Sequence, residues 1–60
     1  MIKYSIQKYI DNKWKPFPRE SKYISRLVAE DIYTDLCNKH PEDKYRIVVY
    51  AGREIVDIYY

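Results

Sequence analysis

The sequence predicts an α+β domain of order ββαββ. Three observations carry this. Four short segments alternate or are rich in β-branched and aromatic residues, as strands are. One stretch alone, Ser21 to His40, is long and periodic enough for a substantial helix. Two turn signals, Asp11-Asn12-Lys13 and Ala51-Gly52, each join two strand-like runs into a hairpin. A helix between two hairpins returns the third strand antiparallel to the first if they are neighbours. The simplest sheet is then fully antiparallel, of order 2-1-3-4, with the helix (about 21–40) packed on one face. Sixty residues make a single domain, 1–60.

Each element has its own warrant. Ile2, Tyr4 and Ile6 alternate with Lys3, Ser5 and Gln7, the pattern of a half-buried strand. Lys8 breaks the alternation, so the strand is expected to bend or become solvated there. Trp14 opens a short second strand that Pro16 and Pro18 stop, because proline cannot donate to a ladder. That strand is therefore an edge. The helix is expected to start near Ser21 as N-cap, with Ser25 as the alternative cap. At 100° per residue, Val28, Ala29, Ile32 and Leu36 share one face, with Ile24 and Tyr33 at its margins. Pro41 ends the helix, since the residue before a proline is pushed out of helical backbone. Lys44 to Tyr50 is the strongest strand signal, and Glu54 to Tyr60 is its return.

A chain this short buries only roughly 60% of its unfolded surface, so help from a second chain is expected. The single Cys37 excludes an internal disulfide and fits a reducing, cytoplasmic compartment. No apolar run approaches the ~20 residues of a membrane span, and no membrane partner is expected. Met1-Ile2-Lys3-Tyr4 enters strand alternation directly, unlike a signal peptide. The net charge of +2 is unevenly spread: residues 1–26 carry seven bases and two acids, residues 27–60 four bases and seven acids. Such asymmetry points to a partner or a self-complementary dimer.

No catalytic or metal motif is complete. Cys37 and His40 lie one helical turn apart, but a zinc site needs three or four ligands and no second pair exists. The same two residues as nucleophile and base lack an orienting third group and an oxyanion site. One glycine cannot build a phosphate loop. The chain reads as a non-enzyme without cofactor or metal.

Binding is the better-supported chemistry. Arg19, Lys22 and Arg26 crowd a helix entrance already made positive by its dipole. Folding alone does not call for this, whereas an acidic protein patch or a phosphate backbone would. Lys13 and Lys15 flank Trp14 nearby. The expected partner surface is Trp14, Lys15, Arg19, Lys22, Tyr23 and Arg26. The structural alternative packs Trp14 and Phe17 under the helix start against Leu27. The sheet face away from the helix would carry Tyr9, Val48 and Tyr50, too apolar for plain solvent surface, and is expected to form a homodimer.

The run Tyr4-Ser5-Ile6-Gln7, Trp14 after a turn, Ala29-Glu30 in mid-helix, His40-Pro41 and Tyr45-Arg46-Ile47-Val48 together give the chain its character. In these it resembles very small phage-encoded proteins that block host machinery or bacterial defence systems, the Hachiman inhibitors above all. The Ile, Lys and Tyr bias fits the genome of a low-GC bacterium or its phages. The resemblance implies a non-catalytic, homodimeric inhibitor that binds a host or defence protein in the host cytoplasm. The alternative expectation is a nucleic-acid-binding accessory protein using the basic helix N-terminus and the aromatic sheet face.

Overall fold

The computed structural model describes residues 1–18 and 22–60. Its elements run β1 (Ile2–Ile10), β2 (Lys13–Pro16), α1 (Arg26–Lys39), β3 (Tyr45–Ala51) and β4 (Glu54–Tyr59). The four strands form one antiparallel sheet of order β2-β1-β3-β4, the expected topology. Helix α1 lies over β1 and β3.

Local chemistry explains both hairpins. Asp11 and Asn12 take positive φ values of 52° and 64°. This pair is what a two-residue type I′ turn requires, and short polar side chains tolerate it. In the second hairpin Ala51 pairs with Glu54, so the loop is Gly52-Arg53 rather than Ala51-Gly52. Gly52 takes the positive φ of 65°, and no atom lies within 4 Å of where its Cβ would be. Its role is conformational and does not come from crowding.

Two local details differ from expectation. The helix begins at Arg26, capped by Ser25, whose Oγ accepts from the Val28 N–H at 3.4 Å. Ser21 lies outside the described residues. The chain before the cap is held as strand: Tyr4 and Tyr23 exchange backbone hydrogen bonds of 2.8 and 2.6 Å, extending the β2 side of β1. A backbone committed to that pairing cannot also be helical. Nor is β1 solvated at Lys8. Lys8 stays in the ladder opposite Tyr45, and its Nζ meets Asp43 at 3.2 Å, with the rings of Phe17 and Tyr45 4.7 and 5.9 Å away. The long lysine stem covers apolar surface while its head finds a carboxylate.

Register sorts the side chains into two faces. Tyr4, Ile6 and Lys8 face the helix with Tyr45, Ile47 and Val49. Ile6, Ala29, Tyr45, Ile47 and Val49 are buried there. Ala29 is wholly covered, and its methyl lets α1 sit close to the sheet. The covered stripe continues through half-buried Ile32, Tyr33, Leu36 and Cys37, while Val28 is 48% exposed. The stripe is thus rotated from the expected centre towards Tyr33 and Cys37.

Candidate functional site

The open face, away from the helix, is the more unusual surface. Lys3, Ser5, Gln7 and Tyr9 of β1 share it with Trp14, Arg46, Val48, Tyr50 and Ile58. Val48 is wholly buried and Ser5 nearly so, although no helix covers them. Side chains of the face itself do this. Three strand spacings separate β2 from β4, roughly 14 Å. Yet the rings of Trp14 on β2 and Tyr60 beyond β4 meet edge-on at 6.0 Å. They arch over Arg46, whose guanidinium lies 4.4 Å from the Trp14 ring and 5.9 Å from that of Tyr60. Arg46 Nε donates to Gln7 Oε1 at 2.7 Å and Nη1 to the Tyr60 hydroxyl at 3.3 Å. Tyr9 closes the side of the arch against Trp14, at 5.2 Å. At the other end Lys22 reaches over the sheet to 4.3 Å from the Tyr50 ring.

Charge on this face has one sign. Lys3, Lys22 and Arg46 stand on it, and none of the described carboxylates does. Glu30, Asp31 and Asp35 are on α1, Glu42 and Asp43 in the loop after it, and Asp11 in the first turn. Glu54 and Asp57 pair with Ala51 and Val49, on the helix side.

The helix side holds two other features. Between α1 and β4 lies a cleft of about 310 Å³, lined by Tyr4, Arg26, Glu30, Tyr33, Thr34, Ile47 and Tyr59. It exists because one 14-residue helix cannot cover four strands. Arg26 crosses its mouth, bonded to Glu30 at 2.9 Å and 5.4 Å from the Tyr59 ring. The Glu30 hydrogen bond and charge raise the Arg26 pKa. Burial, and then the neighbouring Cys37, push the Tyr33 phenol up, and a hydrogen bond to Asp57 does the same for Tyr59. The second feature is the outer side of the helix entrance, where Ile24 and Leu27 are each 73% exposed beside half-exposed Val28.

The expected partner residues are therefore divided between surfaces. Trp14 and Lys22 are on the open face with Tyr9 and Tyr50. Lys15 is exposed on the β2 edge opposite Lys8. Tyr23 pairs with Tyr4, and Arg26 walls the cleft. Arg19 lies outside the described residues. Val48, expected in a dimer contact, is on the open face but has no surface left to offer. The packing of Trp14 under the helix against Leu27 does not occur: Trp14 is on the opposite face and Leu27 projects outward. Phe17 packs instead on Tyr45, with ring centres 5.9 Å apart. Tyr60 was not among the expected site residues. Its signal was present only as the last member of the β4 alternation.

Among the described residues Cys37 and His40 do not converge with a third and fourth ligand. His40, Glu42 and Asp43 do bring ligand atoms within 4.8 Å of one another, but Asp43 is engaged by Lys8 and the other two are solvent-exposed. Among the described residues no helix is long and apolar enough to cross a membrane. No family model, curated protein sequence or solved structure matches this chain.

Proposed function

We propose that this chain is a non-catalytic inhibitor that acts by covering a surface of a protein partner. The observation that carries it is the exposed apolar side of the helix entrance. Ile24 and Leu27 contribute little to the core, so folding gives no reason for two large aliphatic side chains there. Exposed Arg26 lies beside Leu27 at the rim of this patch. An apolar centre with a charged rim is the anatomy of a protein-binding patch. Inhibition would be steric or conformational, with no turnover. The small phage proteins that the sequence resembles make a bacterial host or defence protein the partner to test first.

The homodimer belongs to the same proposal, but the open face is a poor place for it. A two-fold contact there would set Lys3, Lys22 and Arg46 against their own copies. The β4 edge suits a second copy better. It has no neighbouring strand, contains neither lysine nor proline, and leaves Ile55, Val56 and Tyr59 about half exposed.

The test is a paired substitution, Ile24→Glu with Leu27→Glu. Folding should be unaffected, with a melting temperature within a few degrees of wild type. Protection of phage in a defence-bearing host, and co-purification of the blocked protein, should both be lost. Retention of both by a folded double variant would remove this patch as the partner surface.

A further inference from the structure

We infer that the open sheet face binds single-stranded nucleic acid, on a surface separate from the helix-entrance patch. The argument starts from charge. Lys3, Lys22 and Arg46 stand on this face, and every described carboxylate lies on the helix side or in a turn. A net charge of only +2 conceals this segregation. A surface of one sign is complementary to a polyanion and repels its own copy.

Ring placement then selects the kind of polyanion. Tyr9, Trp14, Tyr50 and Tyr60 all stand on the same face, with Tyr9 41% and Tyr60 75% exposed. The arch is braced from below: Arg46 stacks under Trp14 and is itself fixed by Gln7 and the Tyr60 hydroxyl. The rings are thus held in place before any ligand arrives, with their outer surfaces towards solvent. Stacking on such rings needs bases that are not already stacked in a duplex. Lys13 and Lys15 pair with Ile10 and Lys8 and so belong to the helix side, which leaves Lys3 and Lys22 at the Tyr50 end and Arg46 under the arch as the cations of this face. A strand laid between the Trp14 arch and Tyr50 would have Lys3 and Lys22 for its phosphates at one end and the Arg46 guanidinium at the other.

The test uses labelled oligo-dT and oligo-U, and a duplex of equal length, with the full chain at low salt. Fluorescence anisotropy should show binding of the single strands and weaker binding of the duplex. Trp14 is the only tryptophan, so its fluorescence should be quenched by the same titration. Two lysines and Arg46 give a log–log salt slope of at most about −2. Tyr60→Ala should weaken binding at least about fivefold, and Lys3→Glu with Lys22→Glu should abolish it. Leu27→Glu, on the opposite side, should leave it unchanged, which separates this proposal from the protein-partner surface. No binding up to about 100 µM would overturn it. So would duplex binding as tight as single-strand binding, or affinity indifferent to the lysine reversals. If light scattering shows Tyr60→Ala or Lys22→Glu turning a dimer into monomers, the face is a contact between copies and the inference also fails.

Discussion

Two residues show how this small domain handles polar groups in its interior. Tyr45 is 4% exposed, and its hydroxyl is buried without a hydrogen-bond partner among the described residues. Such a group costs about 1–3 kcal/mol of desolvation. Tyr45→Phe is therefore expected to raise stability, by up to about 1 kcal/mol, as a melting temperature several degrees higher. Burial also pushes the Tyr45 phenol above its ordinary value, against the opposing pull of Lys8. A native pKa above the unfolded one means that the unfolded chain releases its proton first. The stabilisation is complete below about pH 10 and is lost as pH rises through the native value. Urea unfolding from pH 9 to 11 should show this decline in wild type and a shallower one in Tyr45→Phe. Arg46 is the contrasting case, a half-buried cation with its donors engaged. Arg46→Lys keeps the charge but loses the planar stacking and the directed bond to Gln7. We expect a loss of about 1–2 kcal/mol in thermal unfolding, larger than a surface charge substitution gives. A variant as stable as wild type would show that the arch does not depend on its guanidinium.

At the scale of elements, the helix is the part whose outer and inner sides answer to different demands. Its inner side is set by Ala29, which has no free space around it. Ala29→Leu should lift α1 off β1 and β3 at a cost of about 1–3 kcal/mol, measured by chemical denaturation. Its outer side at the entrance is free of that constraint, which is why charge can be introduced at Leu27 without unfolding. The ion pairs Arg26–Glu30 and Lys39–Asp35, at 2.9 and 3.1 Å, are solvent-exposed and contribute only a few tenths of a kcal/mol each. The sheet supplies the other demand. Its β2 edge is short, ends at Pro16 and is continued by the Tyr23 bridge to Tyr4, whereas its β4 edge has no comparable protection.

At the scale of the molecule, that edge gives a direct prediction. Light scattering at micromolar concentration should return the mass of two chains, about 15 kDa for a 7.4 kDa chain. Val56→Lys should return the mass of one, because a lysine on an edge strand opposes further pairing. A wild-type mass of one chain would remove the dimer from the proposal. A dimer that survives Val56→Lys would move the contact elsewhere.

The sequence by itself determined the element order, the antiparallel sheet of order β2-β1-β3-β4 and which residues of β1 and β3 share a face. These follow from local rules: alternation along a strand, the turn chemistry of Asp11-Asn12 and Gly52, and the helix stop at Pro41. It also singled out Lys22, Arg26 and Trp14 as candidates for a partner surface. Only the tertiary structure decided where such residues go. The helix starts at Ser25 because Tyr23 is drawn into pairing with Tyr4, a contact across 19 residues that no local propensity encodes. Trp14 reaches over Arg46 to Tyr60 because the sheet order sets all three on one face, where their long side chains can meet. The segregation of acids from the open face arises because register, and not composition, assigns each charged residue its side. Long-range pairing chose among locally equivalent options, and with it the surfaces left for partners.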